Sequence, residues 1–64
     1  MLDVPYAQQR ILVRAARQPD RRVSSYNADA LMSLYAADLV SRDALTPAGF
    51  ALARRLMEAD PTLR

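Results

Sequence analysis

Cysteine, histidine and lysine are absent from this chain of 64 residues, and its single glycine is Gly49. Without cysteine or histidine the chain can form neither disulfides nor the common zinc sites. One glycine cannot build a glycine-rich phosphate loop. The only glutamate is Glu58, and no serine has a histidine to activate it. These absences predict a protein that is not an enzyme and carries no cofactor or metal.

Long apolar runs are also missing, since no stretch approaches the roughly 20 consecutive apolar residues that a membrane span needs. Asp3 stands near the start, where a signal peptide would carry basic residues. We therefore expect a soluble, cytoplasmic protein that does not associate with membranes. A chain of this length makes one small domain, 1–64, whose core is marginal unless helices pack tightly or a partner covers them.

Arginine alone carries the positive charge. Nine basic residues against seven acidic ones give a formal net charge of +2 and a pI of about 9.7. Arginine presents planar, forked donors that suit phosphates and carboxylates. Abundant alanine and arginine without lysine is also what a GC-rich genome produces. The placement of the arginines is therefore more informative than their number.

Proline and capping residues divide the chain into three helices of a mainly α domain. Pro5 suits the first turn of a helix that ends before the next proline. Ser24 or Ser25 can cap a second helix. Thr46 caps a third, in which Pro47 takes the first position. The predicted helices cover 5–18, 25–40 and 47–59.

Helical periodicity assigns an apolar face of each helix to the core. In the first helix this face is Ala7, Ile11, Leu12, Ala15 and Ala16. In the second it is Ala28, Leu31, Met32, Tyr35, Ala36 and Leu39. In the third it is Phe50, Leu52, Ala53, Leu56 and Met57. The opposite face of the second helix is predicted to be exposed and consists mainly of small residues: Tyr26, Ala30, Ser33 and Ala37, bordered by Leu34.

Two sequence elements carry a resemblance to a known family. Leu39-Val40 closes the second predicted helix, and Leu45-Thr46-Pro47-Ala48-Gly49 leads into the third. In this order, over about residues 9–57, the chain resembles the compact winged-helix regulators of bacteria and their phages. The resemblance implies a truncated winged-helix-like fold and a role in transcription regulation. It also implies that 22–24 and 44–46 pair as a minimal two-stranded β-ribbon.

The DNA-contacting positions of that family fall at the start of the second predicted helix, where helix N-termini and arginines suit phosphates. Asn27 has the donor and acceptor that can read adenine. The rest of the helix offers only short side chains, and the chain has room for one helix where the family usually has two. We therefore expect mainly phosphate-directed contacts, with ordinary helix capping as the alternative. The candidates are Arg21, Arg22, Ser24, Ser25, Tyr26 and Asn27.

A second candidate for nucleic-acid binding lies on the first helix. Arg10, Arg14 and Arg17 share one helical face because they are spaced at i, i+4 and i+7. They would add contacts to a nucleic-acid backbone or bind an acidic partner. The alternative is a solvated face whose arginine stems cover apolar surface.

The small-residue face of the second helix predicts a different function. Ala30, Ser33, Leu34 and Ala37 would let another backbone approach closely, which suits a homodimer formed through this helix. In that case the protein is a protein-binding adaptor or inhibitor, like an accessory protein of a phage, and needs no nucleic acid. An exposed, alanine-rich helix face without a partner is the plain alternative.

Overall fold

A computed structural model describes residues 4–59, which form three helices and one two-stranded antiparallel sheet. The elements are α1 (Tyr6–Ala16), α2 (Ala28–Ala36), β1 (Val40–Ser41), β2 (Ala44–Leu45) and α3 (Pro47–Ala59). The predicted mainly α fold class with a minimal ribbon is confirmed. α3 has its predicted bounds, and α1 is slightly shorter than predicted. The absence of a signal peptide was inferred from Asp3, which lies outside the described residues.

The core lies where α1, α2 and α3 meet. Leu12 of α1, Leu34 of α2 and Val40 of β1 are the largest fully buried side chains in the described part of the chain. Burying a side chain of this size contributes about 1.5–3 kcal/mol. Two predictions on α1 are wrong: Ala7 is exposed, and Val13, which periodicity left out, is buried. Half-buried apolar residues from all three helices pack around this cluster.

α2 turns a different face to the core from the one predicted. Ala30 and Leu34 are 6% and 0% exposed, whereas Met32 is 69% and Tyr35 is 42% exposed. The predicted orientation of this helix is therefore wrong. Apolar side chains surround the helix, so the sequence offered little contrast between its faces. Packing against the other elements places Ala30 and Leu34 in the core.

The first turn of α2 is capped by Asn27, not by Ser24 or Ser25 as predicted. The Asn27 side-chain oxygen accepts a hydrogen bond from the backbone N–H of Ala30 at 3.1 Å. Ser25 stabilises the preceding turn, where its hydroxyl oxygen accepts from the N–H of Asn27 at 3.0 Å. Asparagine is as good a helix cap as serine. The helix therefore starts three residues later than predicted.

The end of α2 is set by Asp38, whose left-handed φ of 61° stops the helix. The N–H of Leu39 donates to the carbonyl of Leu34 at 2.9 Å, and the N–H of Asp38 donates to the carbonyl of Tyr35 at 3.0 Å. This pair of bonds is a Schellman motif, which usually has glycine at the left-handed position. The predicted end at residue 40 is wrong because this motif ends the helix at Ala36.

The ribbon forms between neighbouring strands, Val40 opposite Leu45 and Ser41 opposite Ala44. The turn between them has two residues, both with positive φ, as in the type I′ turns that favour hairpins. The ribbon was predicted to pair 22–24 with 44–46, and this is wrong because β2 pairs with β1. That segment adds only an isolated bridge, between Arg22 and Ala44, on the other edge of β2.

Tyr35 fixes the hairpin turn to α2. Its hydroxyl donates to Oδ1 of Asp43 at 2.9 Å and accepts from the N–H of Asp43 at 3.3 Å. The hydrogen bond that Tyr35 donates to the Asp43 carboxylate raises the pKa of Tyr35 above its ordinary value, because only the protonated hydroxyl can donate it. An acid with a raised pKa stabilises the fold below its unfolded pKa, and loses that contribution as pH rises through the folded pKa.

Tyr35→Phe is therefore expected to lower stability at neutral pH, because the hydroxyl and both of its hydrogen bonds are lost. The gap in melting temperature between the two proteins should shrink as the pH rises through the pKa of Tyr35, since the ionised wild type can no longer donate a hydrogen bond to the Asp43 carboxylate. Thermal melts of both proteins across the alkaline range measure this gap. A gap that does not change with pH would contradict the assignment.

The start of α3 is joined to the end of α2 through Thr46. Its hydroxyl oxygen accepts from the N–H of Gly49 at 3.0 Å, which confirms Thr46 as the cap. The same hydroxyl donates to the carbonyl of Asp38 at 2.7 Å. The buried Gly49 lies against the backbone of Leu39. These contacts fix the position of α3 relative to α2.

Candidate nucleic-acid interface

An open groove of about 840 Å³ runs between α1 and the segment 24–27, which leads into α2. One wall is formed by α1 and the turn that follows it, and the other wall is formed by the segment 24–27. Two of the sites predicted from the sequence, the arginine stripe and the start of the second helix, therefore face one another. The lining residues are Tyr6, Ala7, Arg10, Ile11, Val13, Arg14, Arg17, Gln18, Ser24, Ser25, Tyr26 and Asn27.

The arginines of α1 form one wall of the groove. Arg10, Arg14 and Arg17 are all exposed and line it together, as expected from their helical spacing. Ile11, Leu12 and Ala15 lie on the buried side of the same helix, so packing holds the arginine face outward. Exposed guanidinium groups on a rigid helix can each donate several hydrogen bonds to an anion.

The opposite wall contains Ser25 and Asn27, whose side-chain oxygens are already used within the chain. Both accept hydrogen bonds from backbone N–H groups at the start of α2. Asn27 can read adenine through both ends of its amide only if it gives up its cap. Base-specific reading by Asn27 therefore conflicts with the stability of α2, whereas its amide N–H group remains available to a phosphate.

Arg22 lies in a smaller hollow of about 430 Å³ that continues from the groove. The two share Arg14, Gln18 and Ser24. Asp20 also lines this hollow, and its Oδ1 accepts from the backbone N–H of Arg22 at 3.1 Å. The acid reduces the positive potential at this end of the groove.

Arg21 does not line the groove or the hollow. Its guanidinium lies over the ring of Phe50 in α3, 3.9 Å from the ring centroid, which is a cation–π contact. The backbone of Arg21 has a positive φ of 55°, and its carbonyl accepts from the N–H of Leu45 at 3.0 Å. The structure thus assigns Arg21 to the packing of the loop against α3 and separates it from the other predicted contact residues.

Tyr6 belongs to the groove although it was not among the predicted site residues. It is 63% exposed, and its ring centroid lies 5.9 Å from the guanidinium carbon of Arg10. The signal was available in the sequence, because Tyr6 precedes Arg10 by four residues and therefore shares its helical face. Tyr26, which was predicted, stands on the opposite wall and is fully exposed.

The predicted interface on the second helix is divided by the fold. Ala30 and Leu34 are in the core, whereas Ser33 and Ala37 are exposed. The Ser33 hydroxyl donates to the carbonyl of Asp29 within the helix, at 3.1 Å. The four residues therefore do not form one accessible surface.

Within residues 4–59, no cluster of three or more histidine, cysteine, aspartate or glutamate side chains could hold a metal ion. No helix in this part of the chain has the length and apolar character needed to cross a membrane. Comparison with known proteins gave no matching family model, no similar curated protein and no similar solved structure.

Proposed function

We propose that this chain is a small, non-catalytic, cytoplasmic regulatory protein that binds nucleic acid mainly through phosphates. The observation that carries the proposal is the groove, in which three exposed arginines of α1 face the segment before α2. A row of guanidinium groups at helical spacing matches a row of phosphates better than it matches a single small anion. The net charge of +2 favours the same kind of partner.

The proposal keeps the winged-helix-like type but places the contacts in the groove beside α1 and not on the hairpin. The order of two helices, a hairpin and a third helix supports that type, as does the bridge from Arg22 to β2. The hairpin turn, however, consists only of Arg42 and Asp43, and the acid opposes a phosphate contact at the tip. The groove beside α1 is therefore the proposed binding surface, and the hairpin serves to connect α2 with α3.

Binding of labelled, random-sequence duplex and single-stranded oligonucleotides, followed by fluorescence anisotropy, tests the proposal. We expect detectable binding at about 50 mM salt and a steep loss by about 200 mM, because each neutralised phosphate releases counterions. Replacing Arg10, Arg14 and Arg17 with glutamine should reduce the magnitude of the salt slope by about 2 for the single strand and about 3 for the duplex, and should lower the low-salt affinity by at least about tenfold.

The matched control replaces Arg42, Arg54 and Arg55 with glutamine. It removes the same charge from exposed positions that do not line the groove. If both triple variants lose affinity equally, the effect is one of net charge and the groove is not the binding surface. If the wild type binds neither oligonucleotide at low salt, the proposed function is wrong.

A second candidate function is a protein-binding adaptor or inhibitor that forms a homodimer through α2. The observation that favours it is Met32, a large apolar side chain that is 69% exposed, one turn from the exposed ring of Tyr35. The dimer would use this outer face, because Ala30 and Leu34 are not accessible. Sedimentation of the wild type beside Met32→Arg tests it. A wild-type monomer at high concentration would exclude the dimer.

A further inference from the structure

We propose that the groove accepts a single nucleic-acid strand, whose bases stack on Tyr26 and Tyr6 while its phosphates contact the arginines of α1. This inference rests on the proposed function and identifies the kind of nucleic acid. It starts from the two tyrosine rings in the groove. Tyr26 is 107% exposed and Tyr6 is 63% exposed, although large aromatic rings normally gain much of their stability from burial.

The position of these rings distinguishes them from ordinary surface residues. Tyr26 and Tyr6 come from separate segments, yet both line the groove that holds Arg10, Arg14 and Arg17. The third tyrosine, Tyr35, is hydrogen-bonded to Asp43 of the hairpin turn and does not line the groove. The chain therefore combines flat, accessible π faces with a row of cations in one concave surface. Proteins that bind single strands combine these same two features.

The shape of the surface favours a single strand over a duplex. Reading base edges in the major groove of a duplex takes a helix or a ribbon that projects into that groove. The outer face of α2 carries Met32 and Ser33, which offer little to base edges, and the hairpin turn has only two residues. The arginines and tyrosines instead line a concavity in a molecule of 27 × 24 × 20 Å. A single strand can lie in it with its bases exposed to the rings, whereas the bases of a duplex are stacked inside.

Stacking also resolves the conflict at Asn27. A base held by its π face needs no donor or acceptor from the protein, so the Asn27 cap can stay intact while the strand is bound. Every base has a π face, and the expected binding is therefore tolerant of sequence. Arg10 contributes to the same surface, since its guanidinium already lies near the ring of Tyr6.

The test compares three labelled probes of equal length: an oligothymidine strand, an abasic strand with the same phosphates, and a duplex. The wild type should bind oligothymidine more tightly than the duplex. It should bind oligothymidine more than about tenfold more tightly than the abasic strand, which loses the bases stacked on both tyrosines. Tyr26→Ala should lose about tenfold in affinity for oligothymidine and little for the abasic strand. Tyr6→Ala should act in the same direction. Tyr26→Phe should bind like the wild type, because it keeps the ring.

Three results would overturn the inference: duplex bound as tightly as the single strand, the abasic strand bound as tightly as oligothymidine, or equal affinities for Tyr26→Ala and Tyr26→Phe. The proposed function is tested separately by the arginine triple variant. If that variant weakens all three probes while the tyrosine variants change none, phosphate binding stands and stacking is wrong. If no probe binds the wild type, both fail. Circular dichroism of each variant confirms folding, which exposed positions should preserve.

Discussion

Ala30→Arg is expected to unfold the domain. Ala30 is 6% exposed and belongs to the central apolar cluster with Leu12 and Leu34. An arginine there would overpack the core and bury a charge without a partner, which costs several kcal/mol. A 64-residue domain has a total stability of only about 3–10 kcal/mol, taking about 0.05–0.15 kcal/mol per residue. Far-ultraviolet circular dichroism should show loss of the helical signal.

Met32→Arg is the matched control, because it places the same side chain on the same helix two residues away. Met32 is 69% exposed, so the change should alter stability by no more than about 0.5 kcal/mol. The orientation predicted from periodicity requires the reverse, with Ala30→Arg tolerated and Met32→Arg disruptive. A folded Ala30→Arg beside an unfolded Met32→Arg would show that α2 packs the other way round.

The contrast between α3 and α2 shows which parts of the fold the sequence could predict. The start of α3 depends on local signals, the Thr46 cap and Pro47 in the first position, and it was predicted correctly. The end of α2 depends on Asp38 in a left-handed conformation. Glycine is the usual signal for that conformation, and its absence made the motif unreadable.

The inward face of α2 could not be read from the sequence for a different reason. Leu31, Met32, Leu34 and Tyr35 surround the helix with apolar side chains, so the stripe that periodicity assigned to the core differed little from the opposite face. The choice was made by tertiary packing, which placed the small Ala30 and the fully buried Leu34 inside. A short helix with weak amphipathicity is oriented by its neighbours rather than by its own pattern.

The candidate site was predictable in its parts and not in its assembly. Helical spacing identified Arg10, Arg14 and Arg17, and the family resemblance identified the segment 24–27. Nothing in either pattern says that the two surfaces face one another, because that depends on how the loop after α1 folds back. Arg21 and Arg22 show that neighbours in the sequence can also be separated by the fold. Arg22 lies in the adjoining hollow, whereas Arg21 stacks on Phe50.

Gly49→Ala is expected to destabilise the domain by about 3 kcal/mol, at the upper end of the usual cost of overpacking. A Cβ at this position would collide with the carbonyl oxygen of Leu39 and would lie 3.0 Å from its carbonyl carbon. The obstacle is backbone at the end of the Schellman motif and cannot rotate away. α3 would have to move outward and would strain both hydrogen bonds of Thr46, to Asp38 and from Gly49.

The sign of the effect identifies its cause, because alanine within a helix is normally about 1 kcal/mol more favourable than glycine. Urea unfolding should give a lower midpoint for Gly49→Ala, whereas helix propensity alone would raise it. Ala51→Gly, at an exposed position of the same helix, measures the propensity term separately and should cost about 1 kcal/mol. A Gly49→Ala protein as stable as the wild type would mean that α3 does not pack closely on Leu39.

This result would also bear on the meaning of the Leu45-Thr46-Pro47-Ala48-Gly49 element, on which the family resemblance depends. In the structure, Thr46 caps α3 and bonds to Asp38, Pro47 opens the helix, and Gly49 permits the close approach to Leu39. Thr46, Pro47 and Gly49 thus serve to place α3 against α2, and no residue of the element lines the groove. A large cost for Gly49→Ala, with groove binding retained in the folded fraction, would establish the element as a determinant of the fold. The evidence for function would then come from the arginines and tyrosines of the groove.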